Sequence, residues 1–152
     1  MPVNFIYKIL TQVNVWFKKM IEINRYHKDI KPGNIFIIYT DEEKDNFDIR
    51  LGGYNLSVDD EGSNHSSCCM GGDYFKAPEA LKEGNHKKCD LWSVGVLIYY
   101  LYFLKPLINS KKFKKPDDKN LSDLCEKLVI IQSERRMNWN DYFSHPFFQK
   151  YQ

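Results

Sequence analysis

The stretch Tyr26-His27-Lys28-Asp29-Ile30-Lys31-Pro32-Gly33-Asn34 decides how this chain folds. It separates two segments of different hydrophobic period. Before it, Phe5, Ile6, Ile9, Val13, Phe17 and Met20 recur at steps of three and four, so a helix with one apolar stripe is expected over residues 4–20. After it, Ile35-Phe36-Ile37-Ile38-Tyr39 is β-branched and aromatic and reads as a strand. Asp41 to Asn46 is polar, as a turn should be. Phe47 to Leu51 then alternates apolar and polar, and the two strands are expected to pair as a small hairpin within 35–51.

Further out, Ser57 to Gly72 is rich in Ser, Asp, Gly and Asn and carries no period, which reads as a long loop. Leu91 to Leu104 is apolar nearly all round, the pattern of a helix buried through a core. It is shorter than the roughly 20 residues a membrane span needs. Lys105 to Asn120 is irregular and lysine-rich. Leu121 to Ile131 is helical again. Asn138 has an acidic residue, Asp141, three positions on, an N-terminal capping pattern for a last helix over Trp139 to Phe143, which His145-Pro146 should stop.

The composition narrows the function classes. Hydrophobic residues make up 43% and charged residues 28% of 152 residues, enough apolar material for one globular domain and against a disordered chain. The net charge of +2 supplies no overall basic field for nucleic acid. Cys68, Cys69, Cys89 and Cys125 form no C-x-x-C pair, and no histidine cluster completes a zinc pattern, so free thiols in a reducing compartment are expected. The start is not that of a signal peptide. A cytoplasmic protein, with a cytoskeletal one as a variant, is the expectation.

Five landmarks then fall in a fixed order. Tyr26 to Asn34 resembles the protein-kinase catalytic loop, H-R-D-L-K-P-x-N. Ala77-Pro78-Glu79 matches the A-P-E that closes the activation segment. Asp90-Leu91-Trp92-Ser93-Val94-Gly95 is similar to the start of that family's central helix, Asp123 to Leu128 with Arg136 to its penultimate helix, and Asn138 to Phe148 to its terminal one. The resemblance implies a mainly α fold: one kinase-like large, C-terminal lobe over 1–152, with a small β hairpin region and the small lobe absent. Its parts would be a first helix (4–20), a catalytic-loop-like segment (26–34), short strands (35–51), an activation-segment-like stretch (53–79), a central helix (90–104) and terminal helices (121–148).

The resemblance also implies roles. Asp29 would be the catalytic base, Lys31 the phosphate-contacting lysine and Asn34 a second-metal ligand. His27, Asp90, Glu79 and Arg136 would be structural: His27 packs below the active site, Asp90 anchors the loop backbone, and Glu79 pairs with Arg136. Two departures point the other way. The alignment puts Gly53-Tyr54-Asn55 where the metal-binding D-F-G belongs, and Lys28 replaces the arginine of H-R-D. The small lobe would carry the phosphate-clamping loop and lysine. The expectation is therefore a noncatalytic pseudokinase lobe, not an enzyme, with Asp29, Lys31 and Asn34 vestigial and no cofactor or metal. It would act as a protein-binding or structural scaffold module, alone or as a subunit of a larger assembly. The alternative is an ATP-dependent serine/threonine kinase completed by a small lobe from another chain.

The expected partner is another protein, or a large protein assembly, at the face a small lobe would otherwise cover. Phe36 and Tyr54 are the candidate contacts; membrane and nucleic acid are not expected. A phosphate on Ser57, Ser63, Ser66 or Ser67 could pair with Lys28, although a plain solvated loop is the simpler reading. The segment Lys105, Lys111, Lys112, Lys114, Lys115 and Lys119 reads as a solvated basic loop, or as a contact for an acidic surface or nucleic acid.

Overall fold

A computed structural model describes residues 1–44, 46–54, 57–59, 74–80 and 87–149. Helix α1 spans Val3–Glu22 and buries Ile6, Ile9, Leu10, Val13 and Phe17, the stripe set by the three- and four-residue steps. Helix α2, Cys89–Phe103, has no polar face along most of its length. Leu91, Val94, Val96, Leu97 and Ile98 are all buried, so it runs through the centre of the core. Leu104 ends it in a left-handed conformation (φ 53°), its N–H donating to the Tyr100 carbonyl.

Helix α3 spans Lys119–Leu128, capped by the Asp118 carboxylate, which accepts from the Leu121 N–H. It packs on α2 at Gly95. A Cβ there would come within 2.7 Å of the Leu128 Cβ, so only glycine permits the approach. Helix α4, Trp139–Phe143, starts at Asn138, whose side chain accepts from the Asp141 N–H. Pro146 does stop α4, but it also opens a further turn, α5, Pro146–Gln149, since proline suits a first helical position. Buried Tyr142 donates to Asn14 of α1 at 2.8 Å, tying the two ends of the chain together.

Strands β2, Ile35–Tyr39, and β3, Phe47–Leu51, pair antiparallel with Ile37 opposite Ile49. The alternation in β3 is met literally: Phe47, Ile49 and Leu51 are buried and the residues between them exposed. Gln12 of α1 fixes this hairpin to the helices. Its amide donates to the Phe47 carbonyl and accepts from the Ile49 N–H, replacing a neighbouring strand on that edge.

Two expectations change. Arg25–Tyr26 forms a short strand, β1, which pairs antiparallel with Val58–Asp59, β4, inside the stretch read as loop. Two-residue strands carry too little pattern to be seen in a sequence. Helix α3 stops at Leu128 and not at Ile131, because the Ile130 carbonyl turns to accept two bonds from the Arg136 guanidinium. The connection after α2 holds only a 3₁₀ turn, Ser110–Lys112, before α3. Cys89 and Cys125 are buried free thiols, while Ser63, Ser66, Ser67, Cys68 and Cys69 lie outside the described residues. Among the described residues no helix is long and apolar enough to cross a membrane.

Candidate functional site

The site is built on the turn between β1 and β2. Asp90, buried at the first turn of α2, accepts from the backbone N–H groups of His27 and Lys28 at 2.6 and 2.7 Å. Those two amides have no helix or sheet partner, and a buried carboxylate is what satisfies them. Burial pushes the Asp90 pKa up, against the two amides, which favour the charged form. Lys28 holds a positive φ of 63°, so the chain turns sharply here. Desolvation lowers the Lys28 pKa.

His27 is fully buried beneath this turn. Its Nδ1 accepts from the Asp29 N–H at 3.2 Å, which leaves Nε2 to carry the proton and donate to the Gly52 carbonyl at 2.8 Å. One imidazole thus ties the catalytic-loop-like turn to the end of β3. The Tyr54 ring packs 5.0 Å from the His27 ring, with Tyr54 itself 42% exposed.

The chemistry-bearing side chains converge on Asp29. The Asn34 amide donates to the Asp29 carboxylate and to its carbonyl, both at 2.7 Å. Lys31 Nζ lies 2.8 Å from the other carboxylate oxygen. The carboxylate is 13% exposed and the lysine 37%, so the lysine stands between the carboxylate and solvent. A 3₁₀ turn, Pro32–Asn34, carries Asn34 back over Asp29; Pro32 stands at the start of that turn.

Gly53 marks where the arrangement falls short. It adopts φ +82°, and a Cβ there would lie 2.3 Å from the Asn34 amide nitrogen. The position therefore bears no carboxylate and has no room for one. The magnesium that accompanies a nucleotide in this fold family would want a second carboxylate at this place. Among the described residues no three His, Cys, Asp or Glu side chains gather as metal ligands. The residues present do not fit a magnesium held as the family holds it.

Far from the cleft, Arg136 is fully buried and forms a two-pronged ion pair with Glu79, Nη2 to Oε2 at 3.0 Å. The guanidinium also donates to the carbonyls of Lys88 and Ile130 and lies 5.2 Å over the Trp92 ring. Glu79 stands at the end of the described stretch 74–80 and Ser93 Oγ holds that stretch through the Phe75 carbonyl at 2.7 Å. Phe36 points out from β2, 54% exposed, with its ring over Gly52. The interactions of Gln12 and Lys88 have no motif in the sequence; for Gln12 a polar residue on a helix with an apolar stripe is the only signal, and Ser93, though inside the central-helix motif, was assigned no role there.

A catalytic-loop turn anchored from a central helix, an aspartate gripped by a lysine and an asparagine, and a buried Glu–Arg pair are the arrangement of a protein kinase domain. A sequence model of the protein kinase domain matches residues 3–148, and the chain belongs to that family. Among its relatives, the probable serine/threonine-protein kinase fhkB of Dictyostelium discoideum is 30% identical over 93% of the chain and 14% of that protein. The serine/threonine-protein kinase atg1 of the same organism is 28% identical, over 80% of the chain and 20% of that protein. Calcium-dependent protein kinase 4 of Plasmodium falciparum is 28% identical, over 92% and 30%. The chain thus spans less than a third of the length of these curated relatives.

These relatives correct the expectation that the chain is not an enzyme: they are named serine/threonine kinases, and the family is one of enzymes. That expectation rests on the sequence's starting point and on Gly53. The first says nothing about what precedes residue 1. The second is one position, beside a loop in which Asp29, Lys31 and Asn34 are already in mutual contact.

Proposed function

We propose that this chain is the large lobe of a serine/threonine protein kinase and contributes the proton-accepting side of phosphoryl transfer from ATP. The observation that carries the reading is the grip on Asp29. Asn34 and Lys31 each hold one carboxylate oxygen, so the group is fixed and aimed before a substrate arrives. A serine or threonine hydroxyl approaching Asp29 gives its proton to the carboxylate. Its oxygen bonds to the γ-phosphorus of ATP, and the bond from that phosphorus to the bridging oxygen breaks, leaving ADP with the electron pair. Lys31 faces the charge that builds on the transferred phosphoryl group.

The nucleotide needs a roof. Phe36 and Ile38 of β2 and Tyr54 beyond β3 are exposed at 54%, 41% and 42%, apolar and aromatic surface of the kind that becomes buried when another body covers it. The proposed cover is a kinase small lobe, on whichever polypeptide carries it; a partner protein docked on Phe36 and Tyr54, giving a binding or scaffold role, is the second reading. A cytoplasmic location goes with either.

The test is phosphate transfer from labelled ATP by the protein purified from its native source, compared with an Asp29→Asn form. Loss of the base should lower the rate by about 100- to 10,000-fold without a change in melting. Equal rates in the two forms would end the catalytic reading. Crosslinking from position 54 identifies what covers the face.

A further inference from the structure

A second surface lies at the other end of α2, and it does not depend on Asp29 acting as a base. A groove of about 390 Å³ opens between Tyr99, Pro106, Leu107, Ile108 and Lys112. Its floor is apolar and fixed. Tyr99 packs on Phe103 at 4.7 Å and on Phe113 at 5.5 Å, and Leu107 is buried. Ile108 stands exposed in its wall, 73% accessible, next to Asn109. The backbone of the rim is held by the Leu104 N–H to Tyr100 bond and by the turn bond from Lys112 to the Asn109 carbonyl, 2.7 and 2.9 Å. A rigid, wet-facing pocket of this size suits one large apolar side chain.

The charge around it decides the occupant. Lys112 lines the groove and Lys105 directly precedes Pro106 of its wall; both are exposed with no carboxylate in ion-pair range among the described residues, while Lys114 lies over the Phe103 ring. The two acids of the same segment are committed to its own fold. Asp117 accepts from the Tyr102 hydroxyl and Asp118 caps α3. Lys115 is the one lysine here seen paired with an acid, Glu126 at 2.7 Å. Positive charge therefore rims an apolar slot.

We infer that this groove docks an acidic peptide segment through one large aliphatic or aromatic anchor, the anchor filling the slot beside Ile108 and the flanking carboxylates meeting Lys105 and Lys112. A nucleic-acid strand fits less well. Its phosphates would satisfy the lysines, yet Tyr99 is the one ring in the groove's lining, too little for successive bases to stack on.

The test uses the whole chain and short fluorescent peptides with one leucine between glutamates. Polarisation should report binding that falls as salt rises. Exchanging the leucine for alanine, the glutamates for lysine, Ile108 for aspartate (Ile108→Asp), or both lysines for glutamate (Lys105→Glu with Lys112→Glu) should each weaken it roughly tenfold or more. The doubly reversed pair, the glutamate variant with the lysine-flanked peptide, should recover binding. All these positions are on the surface, so circular dichroism should stay unchanged. No binding, binding indifferent to Ile108→Asp or to the lysine reversal, or an RNA oligonucleotide that competes as well as the acidic peptide would each overturn the inference.

Discussion

Arg136 and Glu79, separated by 57 residues, meet as a buried bidentate pair in which the guanidinium also serves two backbone carbonyls. The pair locks the end of the activation-segment-like stretch to the turn before α4. Removing the arginine leaves an uncompensated buried carboxylate and orphans the Ile130 and Lys88 carbonyls. Arg136→Ala should cost about 3–5 kcal/mol in urea denaturation. Arg136→Lys should recover only part of it, because an ammonium cannot make the fork. A variant as stable as the parent would show the pair to be energetically idle.

Asp90 bears on the site instead of the frame. Asp90→Asn puts an amide where a carboxylate accepts from two N–H groups, so one buried donor loses its partner. The loss should be about 1–3 kcal/mol. Transfer activity should fall further than stability does, since Lys28 and Asp29 are positioned through the same anchor. Melting and phosphate transfer measured on one sample separate the two effects; unchanged activity in a destabilised variant would confine Asp90 to a structural part.

Gly53 answers to its backbone. At φ +82° any side chain is strained, and its Cβ would press on the Asn34 amide. Gly53→Ala and Gly53→Asp should both destabilise, by about 1 kcal/mol from the backbone alone and more from the contact. Gly53→Asp should therefore not by itself create a magnesium site. Tight magnesium binding by Gly53→Asp, seen by calorimetry, would mean that the loop relaxes to accept the carboxylate.

His145 gives a pH dependence. Its ring is buried, Nδ1 accepts from the Phe147 N–H and Nε2 lies 2.9 Å from Asp123. Burial lowers its pKa below the ordinary 6.5, outweighing the help that Asp123 gives the charged form; Lys127 opposes the charge as well. The unfolded chain therefore takes the proton first as pH falls. The stability from neutral His145 is complete above about pH 6.5 and is lost as pH drops through that value toward the lower folded pKa. The melting difference between the parent and His145→Gln should be largest near pH 8 and shrink by about pH 5.5. A difference that grows on acidification would reverse the sign assigned here.

The sequence by itself determined the family and the sites of the long elements. Periodicity is local: the three- and four-residue steps of α1, the unbroken apolar run of α2 and the alternation of β3 each lie within one segment, where the pattern of burial is written directly. The order of the five motifs is also a property of the chain alone, and it is enough to recognise the protein kinase family. The residue types Asp29, Lys31 and Asn34 could be read there too. What they do to one another was decided only in three dimensions. Strands β1 and β4 exist because Arg25–Tyr26 and Val58–Asp59 meet, each too short to form alone. Helix α3 ends at Leu128 where Arg136, committed to Glu79 57 residues away, also takes the Ile130 carbonyl. Gly53 reads in the sequence as a missing carboxylate. Only the fold shows that Asn34 occupies the space such a side chain would need, because steric exclusion between residues far apart in sequence leaves no local pattern.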